Sequence, residues 1–333
     1  MEQAFILPLP RYSGPYLADE LEDPKQVEQM AICHSVLDQL SEKKLSWSYL
    51  ENQLPPTLEE LIQHPVVRIA SDRNGQSLLH LAILQEQTSW VKRLASDTHL
   101  KQRRSHFGLT PFELARFLYK NSYATLLAGS DTDVYRLEPN ISMDEQEKKF
   151  TQISCPIFSS EKVLYEVLEQ SQKAKYQDVI PPEKIWMGIY FDKEIRTGLN
   201  PRLSVRYIDP EIGYGVFSEQ KIPSCSFVGE YVGIIKERSS RLLKDKIYCM
   251  RYNCWQGGRR QFIIDAETHG NYTRFINHST QPNLALQSVY WRGVPRMVFI
   301  SLKEIPEGAQ LAFDYGKSFW KDVNQKPRHL KLK

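Results

Sequence analysis

One stretch of the sequence decides the fold: Gly270-Asn271-Tyr272-Thr273-Arg274-Phe275-Ile276-Asn277-His278-Ser279, with Pro282-Asn283 shortly after it. Within it, Asn277 and His278 combine hydrogen-bond donors and acceptors, which suits them to bind a polar ligand. Three other motifs accompany this stretch along the chain: Gly213-Tyr214-Gly215-Val216-Phe217, Gly229-Glu230-Tyr231-Val232-Gly233 and Phe313-Asp314-Tyr315-Gly316. Any one of these motifs alone is a weak signal, so their order and spacing carry the interpretation.

In that order and spacing the four motifs resemble the SET-domain family of protein lysine methyltransferases. The resemblance spans about residues 202–320. It implies a mainly β domain with a knot-like crossing of the chain, S-adenosylmethionine as the methyl donor, and a protein lysine as the substrate. Motifs typical of other enzyme classes are absent from the sequence. It contains no complete glycine motif for binding a dinucleotide or a phosphate, no G-x-S-x-G and no H-E-x-x-H.

The resemblance also implies which residues bind the donor. They are Gly213, Tyr214, Gly215, Arg274, Asn277, His278, Tyr315, Phe319 and Trp320. Gly213 and Gly215 allow a close approach of the backbone to the ligand, and Tyr214 offers an aromatic face. A surface salt bridge remains the alternative for Arg274, and a structural turn remains the alternative for Asn277-His278. Phe319 and Trp320 are placed to close the substrate channel.

Three residues are expected to act at the lysine: Tyr315, Tyr248 and Phe313. Lysine must attack as a neutral amine although its ordinary pKa is ~10.4. An apolar aromatic channel lowers that pKa, and the Tyr315 hydroxyl can then orient the amine without a strong base. Tyr248 matches a second channel tyrosine, with a core strand position as its alternative. Tyr231 is expected in the core rather than in the site. Phe313 stands where the family's product-controlling aromatic lies, with a simple core role as its alternative.

The five cysteines are Cys33, Cys155, Cys225, Cys249 and Cys254. Their scattered spacing, without a C-x-x-C pair, predicts free thiols in a reducing compartment. Many SET enzymes carry cysteine-rich zinc segments on both sides of the domain. This sequence has no such cluster before Gly213 or after Tyr315, so we expect no metal.

The N-terminal part contains an internal repeat. Gly75 and Gly108 are 33 residues apart, as are Ala82 and Ala115, and the second copy begins with Thr110-Pro111. This period and this start are typical of ankyrin repeats. A plain helical bundle with a chance repeat is the alternative. An ankyrin unit would bind a protein partner or help to select the substrate, or it would simply brace the catalytic domain.

The sequence therefore predicts an α+β multidomain protein. Its parts are a helical cap region (1–70), ankyrin repeats (71–128), a linker and helical segment (129–200), a SET domain (201–320) and a basic tail (321–333). The linker is expected over residues 129–148, followed by a helix from about Ser160 to Tyr176. From residue 202 short β-rich runs replace the helical pattern, including Ser226–Ile235, Met297–Ser301 and Gln310–Phe313.

Composition and charge limit the possible partners. The net charge of +3 does not indicate a dedicated nucleic-acid binder, and no apolar run is long enough to cross a membrane. Residues 317–333 contain six basic residues and one acid, so this tail is either solvated or contacts an acidic or nucleosomal surface. We expect the protein in the nucleus or cytoplasm, or, if it is bacterial, delivered into a host cell as an effector.

The combination of motifs resembles histone-modifying enzymes, and this resemblance implies a histone-directed lysine methyltransferase. Two alternatives stay open. The first keeps the chemistry and changes the target to a non-histone lysine. The second is an interaction protein whose SET fold has lost catalysis.

Overall fold

The computed structural model describes residues 24–128, 141–143, 150–238, 247–252, 255 and 261–322. The described chain divides into two compact units. The first contains residues 24–115 and 120–127, and the second contains residues 116–119 and the residues from 128 onward. None of the described helices has the length and apolarity needed to cross a membrane.

The first unit is built from helices. They are α1 (Pro24–Ser41), α2 (Trp47–Gln53), α3 (Leu58–Gln63), α4 (Pro65–Arg68), α5 (Leu78–Leu84), α6 (Thr88–Leu94), α7 (Thr98–Gln102), α8 (Pro111–Phe117) and α9 (Asn121–Leu127). Side chains at the helix starts satisfy backbone N–H groups that have no partner within the helix. At α8, the Thr110 N–H donates to Glu113 Oε2 at 2.9 Å, and the Glu113 N–H donates to Thr110 Oγ1 at 3.2 Å.

The repeat seen in the sequence is also a structural repeat. The helix pair α8–α9 begins and ends 33 residues after the pair α5–α6 at all four boundaries. A turn precedes each pair, and its glycine has a positive φ, 69° at Gly75 and 80° at Gly108, which other residues adopt at a cost. Each repeat thus consists of a turn and two short helices. The assignment of this unit to the ankyrin class stays a prediction.

The second unit is a mixed α/β structure. Its strands are β1 (Ile141–Met143), β2 (Thr151–Gln152), β3 (Ile157–Phe158), β4 (Leu203–Asp209), β5 (Gly213–Ser218), β6 (Phe227–Glu230), β7 (Ile234–Glu237), β8 (Cys249–Tyr252), β9 (Phe262–Asp265), β10 (His269–Gly270), β11 (Asn277–His278), β12 (Leu284–Trp291), β13 (Val294–Ser301) and β14 (Ala312–Phe313). Its helices are α10 (Glu161–Tyr176), α11 (Pro182–Tyr190), α12 (Asp192–Thr197) and α13 (Gly316–Asp322), with a 3-10 helix at Tyr272–Phe275.

The strands form four small sheets. Their orders are β1-β4-β5, β10-β2, β11-β14-β12-β13-β6 and β3-β7-β9-β8. In the largest sheet β11 pairs with β14 in parallel, with Asn277 opposite Ala312 and His278 opposite Phe313. Two motifs that are far apart in sequence therefore become direct neighbours.

Several local predictions can be compared with the structure. The helix expected from Ser160 is confirmed as α10, and the Ser160 hydroxyl accepts a hydrogen bond from the Val163 N–H at 3.2 Å. The single run expected over residues 226–235 is instead split into β6 and β7 by residues 231–233. Helices α11 and α12 were not expected. Part of the expected linker, Ile141–Met143, is a strand that pairs with β4. The rest of the expected linker (129–140 and 144–148) and the basic tail from residue 323 onward lie outside the described residues.

A buried ion pair joins two strands of the largest sheet. Glu230 on β6 accepts two hydrogen bonds from the Arg296 guanidinium on β13, at 2.5 and 2.6 Å, and Arg296 is fully buried. Burial raises the pKa of the Glu230 carboxyl, and the positive charge of Arg296 opposes that rise. The carboxylate therefore depends on Arg296 for its charge compensation.

We expect Arg296→Met to destabilise the second unit by about 3–5 kcal/mol, because it leaves the Glu230 carboxyl buried without its partner. The free energy of unfolding by urea measures the effect. Arg206→Met is the matched control, since Arg206 and its partner Glu219 are exposed, and it should cost less than about 1 kcal/mol. Equal losses in the two variants would contradict this prediction.

Candidate active site

The second unit encloses a cavity of about 460 Å³ beside the motif strands. Its lining is mostly aromatic and aliphatic: Tyr231, Ile247, Cys249, Met250, Arg251, Thr273, Arg274, Ile276, Pro282, Leu284, Ala285, Leu286, Met297, Leu302, Phe313, Asp314, Tyr315 and Phe319. A site of this size, with few polar groups, is typical of small-molecule or side-chain binding.

Tyr315 is held in place by two hydrogen bonds, one to Ile276 and one to His278. Its hydroxyl donates to the Ile276 carbonyl at 2.8 Å, and its backbone N–H donates to His278 Nδ1 at 3.2 Å. Burial raises the pKa of the Tyr315 hydroxyl, and the neighbouring Tyr248 raises it further. The phenol is therefore neutral at physiological pH and can act as a hydrogen-bond donor rather than as a base.

An aromatic cluster surrounds Tyr315. Its ring lies 4.7 Å from the rings of Phe313 and Phe319, measured between centroids, and it stacks on Trp320 at 5.8 Å. The ring of Trp320 also contacts His278 at 5.0 Å. Helix α13 thus brings Phe319 and Trp320 into contact with Tyr315.

The Gly-Tyr-Gly motif meets Asn277 at a second part of the site. Asn277 Nδ2 donates to the Tyr214 carbonyl at 2.9 Å. A Cβ atom at Gly215 would lie 2.6 Å from Ile208 Cδ1 and 3.2 Å from Asn277 Nδ2, so a side chain cannot fit there without movement. The Tyr214 ring packs between Tyr207 and Phe275, at 5.4 and 6.0 Å between ring centroids. These contacts gather Tyr214, Gly215 and Asn277 into one cluster.

A buried side-chain nitrogen near this cluster has no hydrogen-bond partner among the described residues. It is Gln310 Nε2, which lies 2.9 Å from the position that a Gly215 Cβ would occupy. An unsatisfied buried donor is costly, so it indicates a place where a ligand or water accepts a hydrogen bond. Sequence reasoning missed Gln310. The signal was a polar residue directly before the apolar run Leu311–Phe313.

Arg274 lines the cavity in an aromatic environment. Its guanidinium carbon lies 3.7 Å from the centroid of the Tyr248 ring and 4.4 Å from that of Phe150. Its Nη1 donates to the Glu267 carbonyl at 3.0 Å, whereas Nε is buried without a partner in the described part of the chain. No carboxylate among the described residues forms a salt bridge with Arg274, so the surface salt bridge considered from the sequence is not seen there. An anionic ligand group would balance this charge.

Of the two tyrosines considered from the sequence, Tyr231 lines the cavity and Tyr248 does not. Tyr248 is covered by Arg274 and is not part of the cavity lining, so its role in a lysine channel stays a prediction. Tyr231, which the sequence placed in the core, does line the cavity, and its hydroxyl donates to the Tyr248 carbonyl at 2.8 Å. Burial raises the pKa of Tyr231 far above its ordinary value, so this phenol is also neutral.

Comparisons with known proteins identify the domain. Residues 213–316 match the SET domain family. Over 140 residues the chain is 37% identical to histone-lysine N-methyltransferase EHMT1 of Mus musculus. This alignment covers 40% of this chain and 10% of EHMT1. It is 33% identical over 111 residues to SUV39H2 of Gallus gallus, another histone-lysine N-methyltransferase, which covers 31% of this chain and 27% of that protein.

A solved structure is also similar in sequence. It is KRYPTONITE in complex with mCHH DNA, an H3(1-15) peptide and SAH, which is 31% identical and covers 35% of this chain and 24% of that one. The TM-score of this match is 0.29. The chain contains a SET domain and is related to the histone-lysine methyltransferases. It spans only about a tenth of the length of the EHMT1 relatives.

Metal binding was not expected from the sequence. Within the described residues, no group of three or more His, Cys, Asp or Glu side chains is arranged to hold a metal ion. The described cysteines are free thiols, with Cys33, Cys155 and Cys249 buried and Cys225 exposed.

A structural metal contributes its binding energy to folding, so its removal lowers the melting temperature of a protein. Because we expect no such metal here, treatment with a chelator such as EDTA should leave the melting temperature unchanged. Differential scanning fluorimetry with and without the chelator tests this. A zinc content near one equivalent by elemental analysis, together with a lower melting temperature after chelation, would show the prediction to be wrong.

Proposed function

We propose that the protein is an S-adenosylmethionine-dependent protein lysine N-methyltransferase. The observation that carries the proposal is the cavity of the SET domain that is lined by Tyr231, Arg274, Phe313 and Tyr315, beside the motif strands. The matched relatives are histone-lysine methyltransferases, which makes a histone lysine the first substrate to test. Because the chain covers a small part of those relatives, the activity itself is part of the proposal.

The residues of the site fit the proposed donor. The absence of a Cβ at Gly215 lets Asn277 and Gln310 pack against the backbone of the Gly-Tyr-Gly motif, and Gln310 Nε2 is a buried donor without a partner among the described residues. Arg274 provides a positive charge that no described carboxylate balances, which suits the carboxylate of an amino-acid tail. Tyr214, Gly215, Arg274, Asn277, His278 and Gln310 would hold the donor, and Phe319 and Trp320 would close the site. When bound, the donor supplies a methyl group on a positively charged sulfur.

The other part of the cavity suits the lysine side chain. Tyr231, Phe313 and Tyr315 surround it with aromatic rings, and Leu284 and Met297 add aliphatic walls. Removal of the ammonium from water favours its neutral form, so the pKa of the lysine falls. The Tyr315 hydroxyl, neutral and fixed next to Ile276, can orient the resulting amine. The chain therefore needs to provide position and desolvation rather than a strong base.

The remaining sequence expectations belong to the same proposal. The 33-residue structural repeat supports an ankyrin unit that binds a protein partner, and the parallel pairing of β11 with β14 supports the knot-like crossing of the SET fold. A nucleosome contact by the basic tail, action in the nucleus or cytoplasm, and delivery into a host cell rest on the sequence alone.

Transfer of a labelled methyl group tests the proposal. The full chain is incubated with tritiated S-adenosylmethionine and either core histones or a mixed protein lysate, and labelled lysines are located by mass spectrometry. Labelled lysine that disappears in Tyr315→Phe supports the function. Donor binding without any transfer would favour the alternative of an interaction protein that has lost catalysis.

We expect Asn277→Ala to weaken S-adenosylmethionine binding at least about tenfold, because it removes a side chain that fixes the Tyr214 carbonyl next to the donor site. Isothermal titration calorimetry measures the dissociation constant. Asn200→Ala is the control, since the Asn200 amide donates to the carbonyl of the adjacent Pro201 and Asn200 does not line the cavity. Unchanged affinity in a folded Asn277→Ala protein would contradict the donor site.

We expect the wild-type enzyme to form di- or trimethyl-lysine, and Phe313→Tyr to shift the product toward monomethyl-lysine. Phe313 is buried against Tyr315 and Phe299 and lines the cavity. A hydroxyl at this position can bond to the amine or hold a water, and one hydrogen bond changes a rate ratio about tenfold. Mass spectrometry of a peptide product measures the methylation state. A wild-type enzyme that stops at monomethyl-lysine under excess donor would refute this prediction.

A further inference from the structure

The cavity opens to solvent between two exposed aliphatic side chains. Ile247 and Leu302 are each 53% exposed, and both line the cavity. The residues deeper in the lining, such as Leu284, Tyr231 and Phe313, are buried. Ile247 and Leu302 therefore define the mouth of the cavity.

The wall beside this mouth is also aliphatic. Met250, Pro282, Ala285 and Leu286 are half-buried and line the same cavity. Together with Ile247 and Leu302 they form an apolar surface that is continuous with the aromatic cluster around Tyr315. An apolar surface at the rim of a functional cavity is typical of a binding site, because its contact with water is unfavourable until a partner covers it.

Two arginines and one carboxylate line the cavity. Arg251 and Asp314 are exposed, and Arg274 is half-buried. A positive flanking charge on the substrate would be attracted by Asp314 and repelled by the two arginines, so charge does not favour an arginine neighbour. Apolar contact is therefore the feature of the mouth that can discriminate between substrates.

We propose that the mouth selects a protein lysine that has a bulky aliphatic neighbour, such as leucine, isoleucine or methionine, over a lysine flanked by arginine. The lysine enters toward Tyr315, and the neighbouring side chain covers Ile247 and Leu302. This inference rests on the proposed function, because it takes the lysine to enter this cavity. It adds the sequence context of the target, which the relatives do not supply.

Matched peptides test the inference. Three fluorescent peptides share one neutral sequence with a single central lysine, and they carry leucine, glutamine or arginine on both sides of it. Fluorescence anisotropy with the full chain measures their affinities, and methyl transfer from S-adenosylmethionine is measured on the same peptides. We expect the leucine peptide to bind about tenfold more tightly than the glutamine peptide, the scale of one partly buried leucine side chain.

Two leucine variants locate the effect. Leu302→Ser should remove most of the preference for the leucine peptide. Leu199→Ser is the control, because Leu199 is 42% exposed but does not line the cavity, and it should leave the preference unchanged. Equal affinities for the three peptides, tighter binding of the arginine peptide, or an unchanged preference in a folded Leu302→Ser protein would each overturn the inference.

The two proposals fail in different ways. If all three peptides are methylated and bound equally, the selective mouth is wrong and the methyltransferase function stands. If the leucine peptide binds preferentially through Leu302 but no methyl group is transferred to any peptide or protein, the mouth stands as a binding surface and the catalytic function is wrong.

Discussion

The site depends on the parallel pairing of two strands of only two residues each. Asn277 and His278 lie opposite Ala312 and Phe313, and residues between them in sequence fold away to form β12 and β13. A parallel pair needs a long connection, and here the hairpin of β12 and β13 supplies it. Once it exists, the Tyr315 N–H reaches His278 Nδ1, and the Tyr315 hydroxyl reaches the Ile276 carbonyl. A one-residue shift would turn these side chains to the opposite faces and dismantle the site.

Buried polar groups around this pairing differ in whether the protein itself satisfies them. The Glu230 carboxylate accepts hydrogen bonds from Arg296 within the sheet, and Asn283 binds the backbone at both Gln310 and Ala312. Gln310 Nε2 and Arg274 Nε, in contrast, are buried without a partner among the described residues. The first groups hold strands together, whereas Gln310 Nε2 lies beside Gly215 and Arg274 lines the cavity. A buried donor without an acceptor costs free energy in the unbound protein, and a ligand that accepted hydrogen bonds from these two atoms would offset that cost. A binding site differs in this way from a core, where the protein satisfies its own polar groups.

The sequence predicted features that depend on local chemistry. The helix that begins near Ser160, the helix start at Thr110-Pro111 and the 33-residue repeat each depend on residues close in sequence, so they could be predicted from spacing. The motif residues Tyr214, Asn277, His278 and Tyr315 could be grouped because their order resembles a known family. The sequence could not show that Arg274 covers Tyr248, that Tyr231 lines the cavity or that Gln310 lacks a partner. Each of these depends on which side of a strand or turn faces a distant segment, and the register of such contacts is fixed only in the folded chain.

The cavity lining combines two kinds of groups with different physical demands. Arg274 brings a positive charge, which an anionic ligand group would balance. Tyr231, Phe313 and Tyr315 bring aromatic rings and neutral hydroxyls, and a cation that entered among them would be driven toward its neutral form. Tyr315 connects these groups to the motif residues, because its backbone binds His278 while its ring packs on Phe313 and Phe319. The protein therefore fixes the position of this hydroxyl and ring before any ligand binds, and such fixed geometry is what a reaction between two bound partners would need.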